Sequence, residues 1–193
     1  CYGFVAQNTT GKWLGQTAST LTATLTGATP QTNIQELSDE QIKYEINQKG
    51  GDTRYAKNGI TNFTYTFSNP VPANEIAFFI SDLDPSISGT SAKISFKINN
   101  GDPNGNFTDV SYGSTNNYLS YNTITGAITI PSNGLDDQNL LLKGVGNTLV
   151  SSITITSTGI SASDAVAYSL FSNVPCDIDN DGIPNIFDLN SDN

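Results

Sequence analysis

The C-terminal segment carries oxygen-bearing side chains at a spacing that suits a metal ion. Counted from Asp177, such side chains stand at positions 1, 3, 5, 9 and 12; position 6 is a glycine, and the apolar residue at position 7 can offer its carbonyl. The predicted ligands are Asp177, Asp179, Asp181, Ile183, Asn185 and Asp188. This spacing wraps a short chain around one Ca²⁺. We therefore predict a calcium loop, with a solvated acidic linker as the alternative.

The distribution of charge separates this segment from the rest of the chain. The net charge is −10, and residues 177–193 hold five Asp and neither Lys nor Arg. The preceding residues combine 8 cations with 13 acidic residues, so half of the net charge lies in the last 17 residues. We predict one domain over residues 1–176 and a separate calcium-binding unit over residues 177–193.

The C-terminal segment 177–193, which we call the tail, resembles the thrombospondin type 3 repeats of large bacterial surface proteins. Asp188, Asn190 and Asp192 have the spacing of a second unit that begins where the first ends. The loop ends in Asp rather than Glu, and Asn190 replaces an acidic residue; both departures fit this repeat better than an EF-hand. The resemblance implies a long, modular parent protein that calcium stiffens, in which this chain is a monomeric module.

Two further groups of oxygen-bearing side chains are candidate ligand sites. Asp82 and Asp84 alternate at the end of a predicted strand, so both carboxylates would lie on one face at a sheet edge. Asp102 and Asn104 begin a segment with the same alternating spacing. The alternatives are loop capping for the first pair and ordinary Asn–Gly hairpin chemistry for the second.

A tyrosine-rich segment is the third candidate binding region. Tyr112, Asn117, Tyr118 and Tyr121 stand among Ser, Thr, Asn and Gly. This composition is typical of antibody binding loops, because tyrosine offers rigid contact area and the small polar residues offer adaptable hydrogen bonds. The alternative is that the tyrosines pack onto the domain. Trp13, the single Trp, is either a sugar platform or a core residue.

Missing residue types exclude several function classes. The chain has no His, so His-activated nucleophiles and His-based zinc sites are excluded. A pI near 4.1 excludes a nucleic-acid binder that neutralises phosphates. No apolar run approaches the ~20 residues of a membrane span, so we expect no membrane insertion of this domain. The chain begins at Cys1 without Met, which favours a processed or excised piece.

The fold class follows from apolar residues that recur at every second position, often with Ser or Thr between them. Six stretches show this period: Leu21–Leu25, Phe63–Phe67, Ile76–Ile80, Ile94–Ile98, Ile153–Ile155 and Val166–Leu170. Turn-rich segments such as Asn99–Asn100–Gly101 and Ser132–Asn133–Gly134 join strands of this kind. Such alternation is typical of half-buried strands. We predict an all-β fold, an antiparallel β-sandwich or jelly roll with the calcium loop as a C-terminal tail. Residues 42–46 alternate as well and favour a strand over a short helix.

The two cysteines stand near the ends of the predicted domain. An even pair in a secreted chain favours a disulfide between Cys1 and Cys176. The alternative is that Cys1 is the lipidated first residue of a lipoprotein, which leaves Cys176 free.

The strand pattern of residues 60–172 resembles ligand-binding modules of bacterial surface adhesins. The resemblance rests on four segments: Thr66–Val71, the strand that ends in Ser81–Asp84, Ala127–Ile130 and Val150–Ile155. They resemble the lectin-like non-repetitive domain of fibrillar adhesins. The resemblance implies an extracellular, calcium-dependent module that binds a glycan or a peptide on a host or neighbouring cell and does no chemistry. The alternatives are a carbohydrate-active enzyme, with Glu75 and Asp82 as its carboxylate pair, and a structural spacer.

Overall fold

The chain folds into two antiparallel β-sheets that pack face to face. The computed structural model describes residues 10–13, 15–26, 53–56, 61–83, 92–110, 120–130, 138–158 and 165–173. Within these ranges sheet A has seven strands, in spatial order β1 (Thr10–Lys12), β2 (Thr20–Thr26), β4 (Thr61–Pro72), β11 (Leu149–Thr158), β6 (Ala92–Ile98), β9 (Ala127–Ile130) and β8 (Ser120–Tyr121). Sheet B has five strands in the same described ranges, in the order β3 (Thr53–Ala56), β12 (Ala165–Ser172), β5 (Ile76–Leu83), β10 (Gln138–Gly144) and β7 (Phe107–Asp109). The prediction of an all-β antiparallel sandwich is confirmed.

The predicted alternation determines which side chains enter the core. On β4, Phe63, Tyr65 and Phe67 are buried, whereas Thr64 and Thr66 face outward. β-Branched and aromatic residues suit such a half-buried strand because they pack well on a pleated surface. All six predicted stretches lie in strands. Residues 42–46, Cys1, Cys176 and the tail 177–193 lie outside the described residues, so their predictions stay open.

A row of aromatic rings joins the two sheets. Tyr65 of sheet A contacts Phe78 of sheet B with ring centroids 6.0 Å apart, and Phe78 contacts Phe96 of sheet A at 5.6 Å. Phe96 then contacts Phe107 of sheet B at 4.9 Å. Each such pair contributes about 0.5–1.5 kcal/mol beyond its buried area. The rings therefore hold the layers together near the centre of the sandwich.

The outer faces of the two sheets differ. At the centre of sheet B, Ala77 and Leu141 alternate with core residues, yet both are completely buried. This part of sheet B is therefore covered on both faces. In sheet A the outward residues Thr24 and Thr66 are exposed. Among the described residues, the outer face of sheet A is therefore more open to solvent than the centre of sheet B.

Candidate functional site

The described connections cluster at one end of the sandwich. The register places the start of β5, the end of β10 and the start of β7 side by side, because Lys143 pairs with Ala77 and Gly144 pairs with Phe107. The segments that meet there are 15–19, 68–75, 99–106, 122–126 and 145–149. We call this region the loop end.

Backbone hydrogen bonds connect these segments to one another. Residues 102–106 lie between two neighbours: Asn104 N donates to Ile124 O at 3.1 Å, and Val145 N donates to Asn106 O at 2.8 Å. On the far side of the 145–149 segment, Ala73 N donates to Thr148 O at 2.9 Å. The segments therefore form one continuous surface rather than independent loops.

Asparagine side chains provide much of the remaining order. Asn99 Oδ1 accepts hydrogen bonds from Ser151 N at 2.7 Å and Ser151 Oγ at 2.9 Å, and its Nδ2 donates to Leu149 O at 2.8 Å. Asn122 Oδ1 accepts from the backbone N–H groups of residues 124 and 125, both at 3.0 Å. A short amide side chain can bond to nearby backbone in this way, which is why Asn is favoured in turns.

Asparagine also tolerates the backbone conformation that these turns need. Asn99 and Asn100 have φ of 51° and 61°, and Asn104 has φ of 48° before Gly105 at 81°. Two consecutive residues with positive φ match the twist of antiparallel strands in a tight hairpin. The predicted turn at Asn99–Asn100–Gly101 is confirmed, with Ile98 and Gly101 bonded to each other across it. Internal hydrogen bonds thus hold the loop end together without a ligand.

The surface of the loop end combines aliphatic and amide groups. Ile124, Val145 and Leu149 are 56%, 41% and 58% exposed, and they are the large exposed hydrophobic residues of the described chain. Exposed amides surround them, among them Asn74 and Asn147, whose side chains bond to each other at 3.1 Å. A surface of this kind offers apolar contact and hydrogen bonding together.

One ion pair lies at the edge of the loop end. Lys97 Nζ donates to Asp102 Oδ1 and, at 3.0 Å, to Thr125 O. The two side chains are 32% and 46% exposed, so the pair contributes little to stability. It leaves this part of the loop end close to neutral, because the lysine charge offsets the carboxylate.

The predicted binding residues do not all meet. Asp102 and Asn104 lie in the loop end, where Asn104 Nδ2 donates to Asp102 O at 3.0 Å. Asp82 lies on β5, six residues beyond Ile76, which is about 20 Å from the loop end at the usual rise of a strand. The structure therefore separates Asp82 from Asp102. Outside the described residues lie the other predicted ligands: Asp84, Tyr112, Asn117, Tyr118, Asp177, Asp179, Asp181, Ile183, Asn185 and Asp188.

The described residues do not assemble a metal site of the usual acidic kind. Among them, no three His, Cys, Asp or Glu side chains lie close enough together to hold an ion. The calcium prediction rests on residues 177–188, which the described ranges do not include. It therefore stays a prediction from the sequence.

Tyr121 packs against the core from the edge of sheet A. Its side chain is half-buried, and its Oη is buried with no hydrogen-bond partner among the described residues. Burial raises the pKa of the Tyr121 phenol well above its ordinary value, and the negative charge of Asp109 raises it further. The phenol stays protonated at any physiological pH. Of the tyrosines in the predicted binding region, this one packs down on the sandwich.

Two residues considered for sugar recognition or cleavage are buried instead. Trp13 is 1% exposed and lies edge-on to Phe67 with centroids 5.2 Å apart, so it belongs to the core. Glu75, 6% exposed, accepts hydrogen bonds from Thr17 Oγ1 at 2.6 Å and Thr17 N at 3.0 Å. No sequence signal linked Thr17 to Glu75, which are 58 positions apart.

The carboxylate pair suggested for an enzyme is also separated. Glu75 precedes β5 at the loop end, and Asp82 lies near the opposite end of the same strand. Seven residues of extended chain span about 23 Å. Glycosidase carboxylates stand about 5–10 Å apart. Glu75 and Asp82 therefore cannot flank one glycosidic bond.

Comparison with known proteins finds only weak structural likeness. No family model matches the sequence, and no curated protein matches it. The chain is similar to TmCBM61 in complex with β-1,4-galactotriose, with a TM-score of 0.32, 10% identity, and coverage of 79% of this chain and 88% of that one. It is also similar to the catalytic domain of a GH87 α-1,3-glucanase in complex with nigerose, with a TM-score of 0.30 and 13% identity. That match covers 86% of this chain and 28% of the glucanase chain. With TM-scores this low, the ligands and activities of these proteins cannot be assigned to this chain.

Within the described ranges, no helix has the length and apolar character needed to cross a membrane.

Proposed function

We propose that this chain is a non-catalytic carbohydrate-binding module, and that the loop end contacts the sugar. The observation that carries the proposal is the internally hydrogen-bonded loop end, which exposes aliphatic side chains and amides together. The wider role that we propose is calcium-dependent adhesion at a bacterial cell surface. That part rests on the sequence of the tail and on the adhesin-like strand pattern.

The chemistry of the loop end suits a neutral, hydroxylated ligand. A sugar hydroxyl both donates and accepts hydrogen bonds, and so does an amide, which carries two donors and an acceptor. The aliphatic residues Ile124 and Leu149 can contact the C–H faces of a sugar ring. Each hydrogen bond adds only about 0.5–1.5 kcal/mol net, so affinity depends on how little order the protein must acquire on binding. Loops that are already hydrogen-bonded to one another lose little freedom.

Two features of the described residues favour binding over catalysis. Glu75 already accepts hydrogen bonds at both carboxylate oxygens, and Asp102 is paired with Lys97. Asp82, on β5, is too far from Glu75 to act as its partner at glycosidase spacing. A spacer role would need no exposed aliphatic residues beside exposed amides at the loop end, whereas a binding role uses both.

The loop-end proposal is tested on a glycan array with single substitutions. We expect Leu149→Asn and Ile124→Asn each to weaken binding to the best glycan by about tenfold, the effect of losing a modest anchor residue. Thr108→Val, on sheet B, is the control and should bind as the unmodified chain does.

Three outcomes of this experiment would contradict the proposal. Unchanged binding by both loop-end variants would place the site elsewhere. Binding to a peptide array but to no glycan would establish a peptide ligand. Turnover of a polysaccharide would establish an enzyme.

Calcium binding by the tail is tested separately. We expect the unmodified chain to bind Ca²⁺ and Asp179→Ala to lose one site, because position 3 of the loop then has no side-chain oxygen. Isothermal titration calorimetry measures the stoichiometry. Equal stoichiometry in the two proteins would show that residues 177–188 are not a calcium loop. If adhesion depends on this ion, EGTA should abolish glycan binding by the unmodified chain.

A further inference from the structure

The outer face of sheet A consists almost entirely of hydroxyl and amide side chains. Alternation along β2, β4, β11 and β6 turns the apolar residues inward and leaves small polar ones outside. The outward residues on these four strands include Thr24, Asn62, Thr64, Thr66, Ser152, Thr154, Thr156, Ser95 and Lys97. Sheets usually carry long charged side chains on a solvated face; here Lys97 is the one such side chain among these positions.

These side chains form rows that run across the strands. Thr24 is opposite Thr64, which is opposite Thr154, and a second row joins Asn62 to Thr156 and Ser95. Members of a row stand about 4.8 Å apart, and successive rows are about 6.6 Å apart along the strands.

Hydrogen bonds within the rows orient the hydroxyls. Thr64 Oγ1 lies 3.1 Å from Thr154 Oγ1, and Thr156 Oγ1 donates to Asn62 Oδ1 at 2.7 Å. Threonine side chains are also stiff at χ1. The hydroxyls are therefore arranged before any ligand arrives, and little side-chain freedom remains to be lost on binding.

The centre of this face is neutral in a strongly acidic protein. The chain has 18 Asp and Glu, but the seven strands of sheet A contain neither. The positive charge of Lys97 is offset by Asp102, and the other lysines of these strands, Lys12 and Lys93, stand on the edge strand β1 and at the start of β6. A polyanion would need several unpaired cations among the rows, and an apolar partner would need exposed aliphatic residues. What complements this face is a neutral ligand that carries many hydroxyls.

We propose that the outer face of sheet A is a second binding surface, which takes neutral polysaccharide chains presented side by side, as in an insoluble polymer. A single hydroxyl contact adds little in water, so a short sugar gains almost nothing from this face. A polymer that repeats its hydroxyls over several rows makes many contacts at once, and these act together. The inference shares the ligand class of the proposed function, on which it rests, but uses a different surface.

The test compares insoluble and soluble forms of the same sugars. Co-sedimentation with cellulose, chitin and starch granules measures binding to polymers, and calorimetry with the matching soluble hexasaccharides measures binding to short chains. The double variant Thr64→Val/Thr154→Val removes a bonded hydroxyl pair and keeps the side-chain shape. We expect it to lose about fivefold or more in polymer binding, the effect of one or two hydrogen bonds, with unchanged hexasaccharide binding. Leu149→Asn should instead weaken hexasaccharide binding and leave polymer binding unchanged.

Controls separate this effect from misfolding. Thr108→Val, on sheet B, should retain both kinds of binding. Thr66→Lys, at an exposed position, adds bulk to the face without altering the core and should reduce polymer binding as well. Thermal melting of each variant reports whether it is folded.

The possible results separate this proposal from the previous one. Polymer binding that is equal in the double variant, or no polymer binding by the unmodified chain, overturns the second surface. A dimer that the same substitutions dissociate would show that a second copy of the chain covers this face instead, and also overturns it. Loss of hexasaccharide binding in Leu149→Asn supports the loop end whatever the face does.

Discussion

Alanine at Gly126 or Gly144 is expected to destabilise the domain by about 3 kcal/mol, whereas alanine at Gly101 should change little. A Cβ on Gly126 would stand 1.8 Å from Phe96 O, and one on Gly144 would stand 1.8 Å from Ala73 O. Both obstacles are backbone atoms, so relief requires that the neighbouring backbone segments move apart. Overpacking of this kind costs about 1–3 kcal/mol, and Gly126 adds strain because its φ is +73°.

Two other glycines of this region, Gly146 and Gly101, provide matched controls. Gly146 has φ of +72°, but a Cβ added there would meet no atom within 4 Å, so Gly146→Ala isolates conformational strain, at about 1–2 kcal/mol. At Gly101 the nearest atom would be Ile98 O, at an ordinary 3.8 Å. Urea unfolding of the four variants measures each cost. If all four lost similar stability, close backbone approach would not be what these positions require.

This series bears on the site because the two crowded glycines lie beside the loop end. Phe96 N donates to Gly126 O at 2.8 Å, which joins the turn 122–126 to sheet A. Gly144 lets β10 approach the 3₁₀ turn Ala73–Glu75. We therefore expect Gly126→Ala and Gly144→Ala to weaken ligand binding as well, because they disturb the loops that would contact it.

The second large effect is expected at Glu75. Glu75→Ala should cost about 2–4 kcal/mol, because it leaves donors of Thr17 and Trp13 without an acceptor in a buried place. Glu75→Gln should cost less, since the amide oxygen still accepts from Thr17 N and the amide nitrogen can donate to Thr17 Oγ1. Urea unfolding again measures the difference.

An exposed carboxylate provides the control for this prediction. Asp102→Ala removes a partner of Lys97 at the surface, and the loss should stay within about 0.5 kcal/mol. Equal losses of stability in Glu75→Ala and Asp102→Ala would mean that the buried hydrogen bonds of Glu75 stabilise the fold no more than the exposed ion pair of Asp102 does. Glu75→Gln should also leave ligand binding intact below its melting temperature. Polysaccharide turnover that this substitution abolished would instead establish Glu75 as catalytic.

The strands and tight turns were predictable from the sequence because their causes are local. The recurrence of an apolar residue at every second position depends only on the period of a strand, and it identified β4, β5, β6 and β11. Asn99–Asn100–Gly101 predicted a tight turn, since these residue types tolerate positive φ. The absence of His from the sequence was enough to exclude His-activated nucleophiles and His-based zinc sites.

The exposed aliphatic residues of the loop end were not predictable in this way. Leu149 opens a strand whose pattern suggests burial, yet it is 58% exposed. The reason is an irregularity between Val150 and Ser152, where four residues of β4 oppose one of β11. A bulge of this kind reverses the face of the sheet on which the side chains beyond it lie, here those of Val150 and Leu149. No local sequence pattern predicts the bulge, because it arises from the pairing of two distant strands.

What the sequence alone determined is the class of fold and the residues available for chemistry; what only the tertiary structure decided is which of them meet. Asp82 and Asp102 were both predicted as ligand residues, but the length of β5 separates them. Thr17 and Glu75 showed no relation in sequence, and they share a buried hydrogen bond. Strand order and register settle such distances. They depend on how the two apolar faces pack together, and that is a property of the whole chain.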